Sequence, residues 1–319
     1  MKHLTLILVI LCAALPVMAE APGAIFAVTE MGGRSIGMGR SYAAIAEGGE
    51  YFIYNVAGSA FFDKKEVFFN YQGGTDVLDQ NNNALSFSMP VAPLYGTIGL
   101  NVLYYGYGTI DATGMHGETL PSFEVYQMVI GLTYATKINE HLGAGIALKY
   151  LNDHLDSEFQ GNAFAVDFGG LYKNEKEINP DLTLLYSAGA TIQNIGPKIS
   201  YQDKEQADSL PHYFRSAIRG TVGYKPWNTA LTMSVGYDMD LLNGFGEAYS
   251  IHWGSEIAFM DVIFLRGGYL SYKDYYGFSD SAFNWGLGFS YANISLDFAM
   301  DNLYSMEKGT NIYSIRFRF

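Results

Sequence analysis

Apolar and polar side chains alternate strictly over the last seven residues of the chain, as in a β-strand with one apolar face. The apolar positions are Tyr313, Ile315, Phe317 and Phe319. Arg316 and Arg318 fall on the opposite face, and an arginine side chain is costly to place against lipid. The pattern predicts a strand of a membrane barrel, which has hydrocarbon outside and a polar interior. A soluble edge strand would show the same alternation.

Similar alternation recurs about fourteen times between residues 64 and 319, which predicts an all-β, up-and-down antiparallel transmembrane barrel. Short and long connections take turns along the chain, as in a barrel with tight turns at one end and longer loops at the other. The predicted long loops are residues 111–122, 195–211, 240–247, 273–281 and 302–311. Among the connections at the end with tight turns, only the one at residues 173–181 is predicted to be longer than the others.

Charged residues alternate with apolar ones on the predicted strands, so they should face the interior. The predicted lumen charges are Lys149, Asp167, Arg215, Arg219, Glu256, Arg266, Asp297 and Asp301. Both signs are present. A lumen stiffened by ion pairs and a device that selects a solute are both consistent with this set.

The chain begins with a pattern typical of a secretory signal peptide: Lys2 precedes an apolar stretch at residues 4–15, and small residues end at Ala19. Cleavage after Ala19 would remove Cys12, the only cysteine, so no disulfide or thiol site is expected. We therefore predict a signal peptide at residues 1–19, a periplasmic or plug segment at 20–63 and an outer-membrane barrel at 64–319.

Composition narrows the class of protein further. Charged residues make up 16% of the chain, against about 25% in a typical soluble domain. Beyond the predicted signal peptide no apolar run approaches 18 residues, which excludes a helical membrane protein. The formal charge of −13 disfavours nucleic acid as a partner.

Candidate catalytic groups are few. The histidines that follow the predicted signal peptide are His116, His141, His154, His212 and His252. No serine or acidic residue stands at a recognisable catalytic spacing from them. We predict that they are mostly solvated groups near strand ends and loops, that the chain is not an enzyme, and that it has no metal or cofactor site.

The segment at residues 32–62 lacks strand alternation. Its marker residues are Gly37, Met38, Gly39, Asn55, Ala57 and Gly58. Gly37 and Gly39 invite a dinucleotide-loop interpretation, but no strand precedes them and the third glycine is missing. We predict that this segment lies inside the barrel and blocks it, with the glycines adopting conformations that a β-carbon would forbid.

These residues resemble a known family. The glycine-methionine-glycine followed by asparagine-x-alanine-glycine resembles the plug of FadL-like outer-membrane barrels, in particular the PorV/PorQ group, although Val56 stands where that group usually has proline. A second match, which looks like a signature of the group, comprises Asn194, Ile195, Gly196, Pro197, Lys198 and, further on, Pro211. The resemblance covers most of the chain after residue 19.

The resemblance implies a fourteen-stranded FadL-like barrel in the outer membrane, surrounded by lipid, with the N-terminal segment tucked inside. For PorV it implies a role in type IX secretion, as a barrel that carries substrates from the translocon to the surface attachment machinery. It also implies that the barrel assembly machinery takes hold of the last strand through Phe319.

Two functions remain open from the sequence. A protein-interaction barrel, with secreted proteins or secretion-system components as partners, would use residues 195–211 and an aromatic cluster in a long loop. That cluster consists of Tyr272, Tyr275, Tyr276 and Phe278. A channel for hydrophobic small molecules would need an apolar pocket. The candidates to line one, or simply to pack the plug, are Phe52, Tyr54, Phe61 and Phe62. We favour the interaction, chiefly on the resemblance.

Overall fold

The computed structural model describes residues 22–73, 80–156, 159–201, 207–242, 248–274, 276–303 and 309–319, and the predicted signal peptide lies outside them. Fourteen strands in this part of the chain form one closed antiparallel barrel. They are β1 (Glu66–Gln72), β2 (Asn81–Val91), β3 (Gly96–Ile110), β4 (Phe123–Lys137), β5 (Leu142–His154), β6 (Gln160–Asn179), β7 (Leu182–Ile195), β8 (Tyr213–Tyr224), β9 (Thr229–Asp240), β10 (Tyr249–Phe259), β11 (Ile263–Lys273), β12 (Ser279–Tyr291), β13 (Ile294–Asp301) and β14 (Thr310–Arg318). The predicted up-and-down barrel is confirmed.

Each strand pairs with its neighbours in the sequence, and β1 closes the barrel against β14. The tight turns lie at the end that carries the C-terminus, which we call the turn end, and the longer connections lie at the opposite, loop end. Side chains alternate between the two faces: on β12, Phe283, Trp285 and Leu287 are exposed outside, whereas Ala282 and Asn284 are buried inside. This is the pattern that places an apolar surface outward and a polar one inward.

One predicted connection is wrong. Residues 173–179 continue β6 and pair with β7, with a register shift between Glu177 and Asn179, so the turn at the end of β6 consists of residues 180 and 181 alone. This stretch shows no alternation of apolar and polar residues, so the sequence does not predict a strand there. Its polar residues follow one another closely: Lys173, Glu175, Lys176 and Glu177. A strand that leaves the apolar band needs no apolar face.

The N-terminal residues 22–62 lie inside the barrel. They form two short helices, α1 (Gly33–Gly37) and α2 (Tyr51–Tyr54), and 3-10 turns at Ile25–Val28, Gly48–Glu50 and Val56–Phe61. Two further 3-10 turns, Ala92–Leu94 and Lys225–Trp227, connect strands at the turn end. No helix in the described residues is both long and apolar enough to cross a membrane.

We call residues 22–62 the plug. It crosses the lumen lengthwise: the Gly23 nitrogen donates to the Ser209 carbonyl near the loop end, and Phe62 leads into β1 at the turn end. Between these points Met31, Ile36 and Met38 are fully buried.

Candidate functional site

The glycine motif brings the plug backbone into direct contact with the barrel wall. Gly39 has a φ of +60°, and a β-carbon there would lie 2.6 Å from the backbone nitrogen of Tyr269 on β11. On the wall side, a β-carbon on Gly268 would lie 1.9 Å from the Gly39 nitrogen. Two backbones approach this closely only where neither carries a side chain.

Asn55 fixes the second plug motif. Its Oδ1 accepts from the Ala57 nitrogen at 3.1 Å and so caps the 3-10 turn Val56–Phe61. Its Nδ2 donates to the carbonyl of Ala43 in the plug at 2.9 Å and to that of Gly170 on β6 at 3.0 Å. The turn therefore forms with valine where the PorV/PorQ group usually has proline.

Buried ion pairs join the plug to the wall. Arg34 of α1 binds Glu256 of β10 at 2.8 Å, and Glu256 binds Arg266 of β11 at 2.6 Å. Arg266 in turn binds Asp297 of β13 at 2.6 Å. The sequence predicted the three wall residues as lumen charges, but not Arg34, because the plug has no periodicity that assigns a direction to its side chains.

Arg34 also connects this chain of charges to the turn end of the plug. It binds Glu47 at 2.8 Å, and Glu47 binds Arg219 of β8 at 3.0 Å and Lys173 of β6 at 3.6 Å. The carboxylate of Glu47 thus forms ion pairs with basic side chains on two strands of the wall, β6 and β8.

A second network lies nearer the loop end. Arg215 of β8 binds Asp238 of β9 at 2.6 Å and also binds Glu30 of the plug. Glu30 binds Arg40 at 2.7 Å, and Arg40 binds Asp301 of β13 at 2.6 Å. Asp238 was missed from the sequence, although its position between the outward-facing Tyr237 and Met239 would have predicted an inward side chain.

His252 lies in this second network and is an exception to the expectation that the histidines are mostly solvated. It is buried on β10, with Nε2 at 2.9 Å from the Ser250 hydroxyl and 3.2 Å from Asp238, and with Nδ1 at 3.0 Å from the Gly39 carbonyl. In a catalytic triad the acid and the nucleophile contact opposite ring nitrogens. Here both contact Nε2, so the arrangement is not a triad.

The same groups have the spacing of a metal site but not its charge. Ligand atoms of Glu30, Asp238 and His252 all lie within 4.8 Å of one another. However, the guanidinium of Arg215 already binds both carboxylates. A fixed positive charge at that point neutralises the cluster and opposes a metal cation.

The Asn194 motif joins three strands and a loop. Asn194 has a φ of +61°, a conformation that asparagine tolerates better than most residues. Its backbone nitrogen donates to Asp167 at 2.8 Å, its Oδ1 accepts from Lys149 at 3.0 Å, and its Nδ2 donates to the Pro211 carbonyl at 3.1 Å. Lys149 and Asp167 form an ion pair at 2.6 Å, at the register shift between β6 and β7.

Residues 199–201 and 207–211 fold back toward the lumen, and we call them the lid. Ile199 and Leu210 are fully buried, and the backbones of Ile199 and Asp208 exchange two hydrogen bonds of 2.9 Å. Tyr201 donates to Asp153 at 2.7 Å, and burial together with that bond raises the pKa of Tyr201. Docking of partners on residues 195–211 stays a prediction, and residues 202–206 lie outside the described residues.

Individual motif residues have different positions. Asn194 and Ile195 end β7 rather than starting a loop, with Ile195 facing outward. Gly196 follows, where a β-carbon would lie 2.1 Å from the Phe164 carbonyl. Pro197 and Lys198 are exposed, and Pro211 is buried at the far end of the lid.

A cavity of about 640 Å³ opens at the loop end, which we call the loop-end cavity. Its lining includes the charged residues Glu30, Arg40 and Arg215. It also includes aromatic residues of β10, of β11 and of the loop that follows β11. The plug aromatics predicted as candidates for a pocket do not line it. Phe52 and Tyr54 are buried in the apolar core between plug and wall.

Phe61 and Phe62 instead border a smaller cavity of about 240 Å³ at the turn end, beside Lys173 and Arg318. Of the loop aromatics, Tyr276 is 79% exposed and Phe278 is 60% exposed, whereas Tyr275 lies outside the described residues. Tyr272 packs partly buried against a small apolar cluster in the wall.

The last strand has the faces that the sequence predicted. Its outward side chains are Tyr313, Ile315 and Phe317, all exposed, with Phe319 exposed beyond them. On the inward side Arg318 binds Glu66 of β1 at 2.9 Å. Backbone hydrogen bonds between Phe319 and Lys65 hold the terminus against the start of β1.

Comparison with known families gives a match over residues 95–235 to the model described as type IX secretion system protein PorV. The predicted PorV resemblance is confirmed. The matched segment begins just before β3, reaches into β9, and contains the Asn194 motif and the lid. No curated protein sequence matches the chain.

Several solved structures are similar to this chain in fold. The toluene transporter TbuX of Ralstonia pickettii has a TM-score of 0.51 and 10% identity, covering 92% of this chain and 100% of that one. The P. putida toluene transporter TodX has a TM-score of 0.48 and 10% identity, covering 92% and 99%. A Pseudomonas aeruginosa FadL homologue has a TM-score of 0.47 and 9% identity, covering 92% and 98%. At such identities the TbuX likeness concerns the fold alone.

Proposed function

We propose that this chain is an outer-membrane barrel that holds exported proteins, or components of a type IX secretion system, at its loop end. The PorV match over residues 95–235 carries the proposal. The outer-membrane location is supported by the apolar outer face of the strands, with exposed aromatics such as Tyr95, Trp227 and Tyr291 at the turn end.

The filled lumen also favours an interaction role. The plug crosses the barrel and is bound by buried ion pairs such as Arg34 with Glu256 and Arg40 with Asp301. Breaking one buried pair by removing a partner typically costs about 3–5 kcal/mol. A protein that works by contact at its loop end needs no path through this plug.

A channel for hydrophobic small molecules is the second candidate, and the fold likeness to TbuX favours it. Its difficulty is the loop-end cavity, which has Glu30, Arg40 and Arg215 in its lining. An apolar solute placed there would desolvate charged groups without giving them partners, which is unfavourable.

We further propose that the chain is not an enzyme, because His252 lacks triad geometry.

Photo-crosslinking in intact cells tests this proposal. A photoreactive amino acid at Tyr276 should form adducts with proteins, because Tyr276 is 79% exposed at the loop end. The same group at Tyr95, 86% exposed at the turn end, is the matched control and should not capture the same proteins. A third variant carries the group at Phe61.

Adducts with lipid or fatty acid alone, confined to Phe61, would contradict the interaction role and support the channel. Heat-dependent gel mobility checks that each variant has formed a folded barrel.

A further inference from the structure

The lumen is divided unevenly at the loop end. The lid fills the side formed by β3 to β6, where Ile199 packs in one core with Leu103, Leu151 and Ala163. The loop-end cavity lies on the other side, against β8 to β11, β13, β14, β1 and β2. This second side carries no lid among the described residues, so its wall groups face the cavity.

Two amide oxygens on that wall lack a hydrogen-bond partner among the described residues. They belong to Asn82, the second residue of β2, and Gln72, the last residue of β1, which are directly paired across the two strands. Both line the cavity, and Asn82 is only 6% exposed. Asn82 Oδ1 and Gln72 Oε1 are buried, and neither accepts a hydrogen bond within the described chain. An unpaired buried acceptor is unfavourable, so two adjacent ones favour a ligand that brings hydrogen-bond donors.

The charges around the cavity favour a positively charged donor. Within the described part of the chain, its charged lining residues are Glu30, Asp240, Asp274, Asp301, Arg40, Arg215 and Lys273. These are four carboxylates and three bases, an excess of one negative charge. Arg40 and Arg215 already bind carboxylates, so an anionic ligand would have to displace them.

Aromatic rings complete the environment. Tyr249, Tyr272 and Tyr276 line the same cavity, and the faces of such rings attract cations. Acceptor oxygens on one wall and rings on another match the two surfaces of a guanidinium or an alkylammonium group.

We propose that the loop-end cavity binds a cationic group with several N–H donors, an ammonium or a guanidinium, through the side-chain oxygens of Asn82 and Gln72. The group belongs either to a free small amine or to a basic side chain of a protein. This inference does not depend on a role in secretion.

Calorimetric titration of the whole purified barrel in detergent tests the proposal, with agmatine as the probe. 1,5-Pentanediol, which is similar in length but uncharged, and glutarate, which is anionic, are the matched controls. Agmatine should bind, and both controls should bind at least tenfold more weakly. Equal binding of pentanediol, or no heat from agmatine at millimolar concentration, would overturn the proposal and leave water as the partner of the two amides.

Variants locate the site. Asn82→Leu should weaken agmatine binding about tenfold, which is the usual effect of losing one hydrogen bond to a charged group. Asn82→Asp should retain or tighten it, because a carboxylate keeps the acceptor and adds charge. Asn83→Leu is the control: Asn83 is the next residue on β2 and points to the other face.

If Asn82→Leu and Asn83→Leu affect binding equally, the assigned site is wrong. Gln72→Leu, checked for barrel formation by gel mobility, provides a second test should Asn82→Leu fail to fold. A capped glycine-lysine-glycine peptide, titrated beside agmatine, distinguishes the sources. Tighter binding of the peptide assigns the site to a protein side chain, and tighter binding of agmatine assigns it to a free amine.

Discussion

Replacing Asn194 should open the lid. The Asn194→Ala variant loses the hydrogen bond from Lys149 and the one to Pro211, and it places alanine at a φ of +61°. A bond to a charged group contributes about 1.5–3 kcal/mol, a neutral one about 0.5–1.5, and the left-handed backbone costs alanine about 1–2. Lys149 keeps its ion pair with Asp167, which favours the low end of these ranges. We expect the lid to be destabilised by about 3 kcal/mol.

Amide hydrogen exchange measures this opening directly. The Ile199 amide is protected by its 2.9 Å bond to the Asp208 carbonyl, so it reports on the lid and not on the barrel. A loss of about 3 kcal/mol should accelerate its exchange about a hundredfold. Amides in the middle of β12 should not change.

A glycine variant separates the two causes. Asn194→Gly loses the same side-chain bonds but accepts the positive φ, so it should be less destabilised than Asn194→Ala by about 1 kcal/mol. The reasoning is refuted if Ile199 exchange is unchanged in Asn194→Ala, if exchange rises equally throughout the barrel, or if the glycine variant opens more readily than the alanine variant.

Three further predictions concern assembly and the plug. Removing Phe319 should sharply reduce membrane insertion, and accumulation of the folded, heat-modifiable form at the wild-type level would contradict this. Deleting residues 32–62 should raise single-channel conductance in a planar bilayer, whereas unchanged conductance would place this segment outside the conducting path. Gly39→Ala should lower the urea midpoint of unfolding, because its β-carbon would lie 2.6 Å from the Tyr269 nitrogen. Gly277→Ala is the matched control, since its φ is also positive, at +80°, but nothing lies within 4 Å of the added carbon.

The barrel was predictable because a strand with lipid on one face and a polar lumen on the other has a strict period of two. That period assigned Glu256 and Arg266 to the interior, where they bind each other. It failed at residues 173–179, where β6 extends beyond the apolar band and needs no apolar face. It also gave no information about the plug, so Arg34 and Glu30 emerged only from the three-dimensional contacts.

The Asn194 motif shows a second limit of sequence reasoning. Glycine and proline after a strand correctly indicate that the chain turns, but they do not indicate whether it turns outward or back into the lumen. The direction depends on Pro211, Lys149 and Asp167, which are distant in sequence and meet at Asn194 only when the barrel closes. The chain after the motif therefore turns Ile199 and Leu210 into the lumen, while Pro197 and Lys198 stay exposed.

The family match covers the side of the lumen that holds the lid, but not the residues proposed to bind a cation on the other side. Residues 95–235 contain the lid and the strands on which it packs. Gln72 and Asn82, the acceptors proposed for the loop-end cavity, both lie outside that segment. Loss of cation binding through Asn82 would therefore leave the interpretation of the PorV-like half unchanged, and opening the lid through Asn194 would not by itself remove the cation site. The two sets of variants consequently test independent properties of one barrel.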